Sequence, residues 1–331
     1  MMKYFTRQAA RGLMVAVTLT AVVTLSVTAT VCAQDYPNRD ITFIVPFGPG
    51  GSTDPLGRQF AAQLEKALRG NVSIVNKTGG SATIGVGIVV RAKPDGYTIG
   101  MGTNTSLAYQ PLVNTGLAYK TPDDYQPIVK MVDAPAILAV RADAPWKTFE
   151  EFMADVRKNP GKIRASVSGL RTQPDLAAQQ LNMVAGVKIP TIPFTGGAGE
   201  ALVALLGGRV EAGINTGPTV AGHVQAGKVR VLAVFKKGKF EFFPDATPVF
   251  DAGYDATLAA EFYVIAPKGM PKDVQDKLVA ASLQVVRSEE FLKFAKENGY
   301  SVDAKGPEAL KAEIVQYSKI FSDLIKFLEQ K

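Results

Sequence analysis

Val45-Pro46-Phe47-Gly48-Pro49-Gly50-Gly51-Ser52-Thr53-Asp54-Pro55 joins a short apolar strand to a helix through a loop rich in free backbone N–H groups. Ile41, Phe43 and Val45 alternate before the loop as a strand requires. Leu56, Phe60, Leu64 and Leu68 recur at fourfold spacing after it as a buried helix face requires. Asp54 or Thr53 is expected to cap this helix, Pro55 to occupy its first turn, and Gly70 to end it in a left-handed conformation. The first amides of the helix then point into the loop, where their partial positive charge favours a carboxylate or phosphate. No Gly-Lys-Ser or Gly-Lys-Thr follows the glycines, and Pro49 breaks the dinucleotide fingerprint, so nucleotide loops are excluded. A tight strand-to-helix turn without a ligand is the competing reading.

The same grammar recurs. Residues 163–167 read as a strand, and Ser168-Gly169-Leu170-Arg171-Thr172-Gln173 leads to Pro174 at the head of a helix that stops near Gly186. Residues 189–194 lead through Thr195-Gly196-Gly197-Ala198-Gly199 into a helix stopped by Gly207-Gly208. Residues 210–214 lead through Asn215-Thr216-Gly217-Pro218 into a helix ending at Gly227. Strands alternating with helices imply α/β architecture with parallel sheets flanked by helices, and ligands in such sheets sit beyond the carboxyl ends of the strands. Several such loops converging from two lobes would surround a small anion.

An apolar strand at residues 135–141 reads as a crossing from one lobe to the other, followed by a helix whose start is set by Thr148 and Glu151 at capping-box spacing. A second strand at residues 259–266 reads as the return, after which Pro271 opens a helical C-terminal third. The expected division is 34–137 with 260–331 as lobe 1 and 138–259 as lobe 2, hinged by two strands.

Residues 1–33 have the pattern of an export signal: Lys3, Arg7 and Arg11, then an uncharged, largely apolar run to Ala33, where cleavage is expected. Its removal takes three of the 37 basic residues and none of the 30 acidic ones, lowering the formal net charge from +7 to +4. The remaining 298 residues suffice for two lobes with their own cores. The single cysteine, Cys32, falls inside the signal, which excludes disulfides, thiolate catalysis and cysteine metal sites from the mature chain. Cys32 follows Val31 where a lipidation signal wants a small residue. Basic residues are not interleaved with aromatics, so nucleic acid is not an expected partner.

His223, the only histidine, cannot build a metal cluster and reads as an ordinary helix residue. No metal, cofactor or catalytic group is expected, because Ser52 and Ser168 have no evident base. Asp54 and Asp175 stand at corresponding helix starts, where aspartate caps amides. Arg171 is open to two readings: a guanidinium gripping a carboxylate through two parallel bonds, or a solvated loop arginine.

Residues 45–54, Asn76-Lys77-Thr78-Gly79-Gly80, Pro94-Asp95-Gly96-Tyr97-Thr98, Leu205-Leu206-Gly207-Gly208, Ala226-Gly227-Lys228-Val229-Arg230 and Ala266-Pro267-Lys268-Gly269-Met270-Pro271-Lys272 resemble, in order, the signatures of the Bug family. These are periplasmic solute-binding proteins of tripartite tricarboxylate transporters. The resemblance implies a two-lobed, type II-like periplasmic binding protein, each lobe a mixed, mainly parallel sheet. It would close on a small organic acid and deliver it to two integral membrane components, as a monomer without a cofactor. Carried over, it points to Gly50, Gly51, Ser52, Thr53 and Asp54 in lobe 1 and to Ser168, Gly169 and Thr172 in lobe 2. Ser106, Thr195, Gly196 and Asn215 become further wall positions. Where family members often carry a His-Leu pair, this chain has Leu170-Arg171-Thr172-Gln173-Pro174-Asp175-Leu176, and Phe194-Thr195 stands where Tyr-Lys is frequent. The added Arg171 favours a second acidic group, hence a dicarboxylate. A secreted hydrolase or transferase acting in the same cleft is the alternative.

Overall fold

The computed structural model describes residues 36–329. The signal, Cys32 and the cut at Ala33 lie outside the described residues. The fold that follows is that of the unit Arg39–Lys331. In chain order its elements are β1 (Ile41–Val45), α1 (Thr53–Leu68), β2 (Val72–Asn76), α2 (Thr83–Arg91), β3 (Thr98–Thr103), α3 (Gln110–Val113) and β4 (Tyr125–Arg141). Then come α4 (Phe149–Lys158), β5 (Ala165–Val167), α5 (Gln173–Ala185), β6 (Thr191–Pro193), α6 (Ala198–Leu206), β7 (Ala212–Thr216) and α7 (Gly217–Gln225). β8 (Val229–Val234), β9 (Thr247–Pro248), β10 (Ala259–Pro267), α8 (Lys272–Val286), α9 (Glu289–Glu297), β11 (Ser301–Lys305) and α10 (Pro307–Glu329) complete the chain.

The 17-residue β4 organises the whole. Its first part, up to Pro135, pairs with β10 and β11, and from Ala136 onward it pairs with β7 and β8. The order β2-β1-β3-β10-β4-β7-β5-β6 therefore passes from one lobe to the other through a single strand. Every pairing that involves β4 or β10 is antiparallel, whereas β1 with β2 and β3, and β5 with β6 and β7, are parallel. Both sheets are thus mixed. The two-residue period puts alternate β4 side chains on opposite faces. Ala136, Leu138 and Val140 join the core with Phe149, Phe152 and Leu181, while Ile137 and Ala139 pack with Leu202, Leu205 and Val220. In lobe 1, Ile44, Val86, Tyr263, Leu310 and Phe321 form the corresponding core under α10.

Four local expectations are corrected. The helix α1 ends not at a left-handed Gly70 but one residue earlier, where Arg69 takes φ 55° and its N–H bonds the Glu65 carbonyl. Neither Asp54 nor Thr53 caps it: Ser52 is the cap position, without a side-chain bond, and Asp54 lies in the first turn. The C-terminal third, expected to be helical, also contains a strand, β11, because pairing with β4 decides this short segment. At α4 the Thr148 hydroxyl accepts from Glu151 N, but the Glu151 carboxylate accepts from Lys147 N, one residue outside a strict capping box.

Exposed, left-handed Arg69 supports a prediction. Arg69→Gly relieves a conformation that disfavours any Cβ and is expected to stabilise the protein by about 0.5–1 kcal/mol, or about 1–4 °C in Tm. A melting curve unchanged or shifted downward would contradict it.

Candidate functional site

The loop after β1 is held from behind. Both Asp54 carboxylate oxygens are used inside lobe 1: they accept from Arg58 Nε and Nη2 at 2.8 and 3.0 Å, and from Asn76 Nδ2 at 2.7 Å. Asn76 Nδ2 also donates to the Phe47 carbonyl at 2.8 Å, and the Tyr300 hydroxyl donates to the Ser52 carbonyl at 2.6 Å. Asp54 accordingly faces away from the cleft and shapes the loop. Asp175 does the same in lobe 2, accepting from Arg171 N and from the Thr191 hydroxyl, both at 2.7 Å.

Between the lobes lies a small cavity of about 40 Å³. Gly51, Ser52, Thr53, Thr103 and Thr105 line it from lobe 1, and Ser168, Thr172, Gln173, Ala198 and Thr216 from lobe 2, with Phe47, Phe262, Pro174 and Ala260 supplying apolar wall. Seven of these fourteen residues carry a hydroxyl and none carries a charge. Four helices start at the cavity: α1 at Thr53, α5 at Gln173, α6 at Ala198, and α7 at Gly217 beside Thr216. Their converging N-terminal amides give an uncharged lining a positive potential.

Of the residues singled out from sequence, Gly51, Ser52, Thr53, Ser168 and Thr172 are brought together on this wall. Gly169, Arg171 and Thr195 line an outer vestibule that shares Phe47 and Ser168 with the cavity. Arg171 has φ 58°, and its guanidinium has no hydrogen-bond or ion-pair partner among the described residues. It lies near enough to Tyr109 to act on it: burial raises that phenol's pKa, and Arg171 pulls the other way.

Gly50 and Gly196 line neither space and serve close approach. A Cβ on Gly48 would come 2.6 Å from the Gly196 carbonyl oxygen, and one on Gly199 would come 2.5 Å from that of Pro49. Gly50, at φ 84°, lies against Gly199, so residues 48–51 seat directly on residues 196–199. The first loop therefore faces the Gly196 loop, while the Ser168 loop is met by Ser81, whose hydroxyl donates to the Leu170 carbonyl. Ser106 stands behind the wall, its hydroxyl donating to the Thr103 carbonyl at 3.1 Å and accepting from Thr103 N at 2.9 Å. Asn215 is fully buried beneath the lining, and neither its side-chain amide atoms nor the Ser166 hydroxyl beside it has a partner among the described residues.

Sequence reasoning missed Thr103, Thr105, Thr216, Gln173 and Ala198. All five sit within three residues of a singled-out position, so nearness in the chain is the one signal that could have found them. Phe262 carried no such signal, because it enters from β10 across the sheet.

Comparison with known proteins follows the same lines. A family model described as "Tripartite tricarboxylate transporter family receptor" matches residues 56–327. Protein BugT of Bordetella pertussis is 31% identical over 250 residues, covering 75% of this chain and 76% of that protein. MatC from Rhodopseudomonas palustris with bound malate superposes with a TM-score of 0.81 at 25% identity, over 88% of this chain and 100% of that one. An R. palustris protein with adipate gives 0.83 at 26% identity, over 88% and 98%.

Proposed function

The chain belongs to the tripartite tricarboxylate transporter receptor family, and from that premise we propose that it captures a small dicarboxylate between its lobes and hands it to two integral membrane components. As a receptor of this family it is a binding component of a transporter, not an enzyme. A solved relative, BugD, is a periplasmic binding protein, and among the described residues no helix is long and apolar enough to cross a membrane. Export through a leader cut near Ala33 and action as a monomer belong to the same proposal.

One observation carries the reading: an uncharged, hydroxyl-lined cavity at four helix starts, with an arginine just outside it whose guanidinium has no partner among the described residues. The proximal carboxylate would sit on the amides of residues 51–53 with Ser168 and Thr172, where helix N-termini favour negative charge. The second carboxylate would reach past Phe47 and Ser168 to Arg171. Malate in one relative and adipate in another make this length range reasonable. Residues 34–137 with 260–331 would move against 138–259 about the point where β4 changes sheets, so that ligand shifts the population toward contact.

A thermal-shift screen with malate, succinate, adipate, citrate, monocarboxylates and amino acids tests the proposal. A ligand at a hundred times its Kd adds about 2.7 kcal/mol, several degrees in a protein of this size. At least one dicarboxylate is expected to give such a shift and to be recovered unchanged; no shift from any anion would overturn the reading. Arg171→Ala is expected to weaken the best dicarboxylate about tenfold, as for a charged hydrogen bond, and to leave a monocarboxylate of similar length unaffected. Equal loss for both would remove Arg171 from the site.

A further inference from the structure

Away from the cavity, a second place brings the lobes together. The segment Lys236-Lys237-Gly238-Lys239-Phe240-Glu241-Phe242-Phe243 follows β8, and its three phenylalanine rings pack on one another with centroids 4.8–6.0 Å apart. All three lie 3.3–3.5 Å from where a Cβ on Gly217 would be, at the start of α7 and next to the cavity residue Thr216. Phe242 extends across to lobe 1 and covers Gly299 so closely that no Cβ fits there. The next residue, Tyr300, bonds the Ser52 carbonyl, stacks on Phe294 and meets the cavity-wall ring of Phe262 edge-on. This seam is thus tied to the ligand cavity from both lobes.

The seam is also basic. Lys236, Lys237 and Lys239 on lobe 2 and Lys296 on lobe 1 have no carboxylate partner among the described residues, and Glu241 is the only acid lining the recess between them. Two of the lysines are held in place without neutralisation: Lys236 lies over the Phe240 ring and donates to the Lys239 carbonyl at 3.3 Å, and Lys237 lies over the Phe250 ring.

We infer that this seam is the surface by which the receptor docks, and that it takes a protruding acidic segment of an integral membrane component. The inference rests on the receptor reading above. Lobe separation would pull Lys296 away from the other three lysines and lift Phe242 off Gly299, so the full charge cluster exists only when the lobes meet. The seam thereby reports occupancy of the cavity to a partner that never touches the ligand. Charge complementarity of this kind acts on association rate and is weakened by salt. The recess, about 440 Å³ and walled by Phe242 and Tyr300, suits a projecting segment better than a flat headgroup layer.

The test uses the mature chain, the transporter's membrane components in nanodiscs, malate as the ligand probe, and a Lys237→Glu/Lys239→Glu/Lys296→Glu variant. Wild type and variant are expected to show the same thermal shift with malate, while docking to the nanodiscs falls at least tenfold in the variant and wild-type docking weakens as salt rises. Lys296→Glu alone is expected to abolish the gain in docking that malate confers on wild type. Undiminished docking of the triple variant would overturn the inference. So would equal binding of wild type to protein-free vesicles of phosphatidylethanolamine and phosphatidylglycerol at 3:1, with the same loss in the variant, which would assign the lysines to lipid. If malate stabilises neither protein, the choice of malate as ligand falls, and the comparison of wild type with variant on ligand-free docking still decides the seam.

Discussion

Lys130→Met is expected to destabilise the protein by about 3–5 kcal/mol, roughly 10 °C in Tm, the loss typical of leaving buried charges uncompensated. The Lys130 ammonium is almost fully buried and lies 2.5–2.9 Å from carboxylate oxygens of Glu261, Asp303 and Glu313. Lys305 shares the last two carboxylates, and the Tyr317 hydroxyl donates to Glu261 at 2.7 Å. The cluster therefore ties β4, β10, β11 and α10 together beside the crossing strands. Scanning calorimetry checks the size of the effect; a Tm within 2 °C of wild type would show that the cluster does not depend on its cation.

The pH dependence follows from the direction of each shift. Burial opposes the charge on Lys130, but attraction to Glu261 and hydrogen bonds to Asp303, Glu261 and Glu313 outweigh it and hold the ammonium above its ordinary range. A raised lysine contributes fully below its unfolded value of about 10.4 and loses its contribution as pH rises beyond that. Asp303 is lowered: burial works against it, and its bonds to Lys130 and Lys305 prevail, so its contribution is lost as pH falls through the carboxylate range. Glu261 is raised, chiefly by burial, and holds its proton more readily folded than unfolded. In Lys130→Met that tendency strengthens. The deficit of the variant is therefore expected to narrow as pH is lowered from 7 to 5, and Glu261→Gln in the same background should recover part of it at pH 7.

Gly199→Ala is expected to weaken ligand binding about 5- to 150-fold without destabilising the ligand-free protein. Its new Cβ would fall 2.5 Å from the Pro49 carbonyl and 3.1 Å from Gly50 atoms, backbone that cannot swing aside. Overpacking of this kind costs about 1–3 kcal/mol, which appears as lost affinity if the contact forms only when the lobes meet. Within α6 itself alanine is a better helix former than glycine by up to about 1 kcal/mol, so the free protein should melt at the same or a higher temperature. Gly48→Ala tests the other side of the same contact through the Gly196 carbonyl. Calorimetric titration with the best ligand of the screen, beside melting curves, separates the two effects. Affinity within twofold of wild type for both variants would show that these loops need not touch when ligand binds.

The glycines of residues 48–51 show how far sequence reading reached and where it stopped. A loop made permissive for an anion and a loop made bare for another loop have the same composition. The reading found the first use, and Gly51 does lie on the cavity wall, but Gly48 and Gly50 are bare because residues 196–199 press on them. Asp54 was legible as a helix-start carboxylate; that it turns to Arg58 and Asn76 depends on β2 lying alongside β1.

By itself the sequence determined the strand–loop–helix units, the loops at the carboxyl ends of their strands, and the family signatures. Each of these is written within a dozen residues, in hydrophobic period, proline and glycine placement, and helix-start chemistry. The tertiary structure alone decided which loops face each other, that Phe262 and Phe242 enter from distant strands and loops, and that Arg171 stands outside the inner cavity. These features depend on the register of β4 against β10 and β7, strands far apart in the chain. No local pattern encodes the distance between two surfaces that meet only after that register is set.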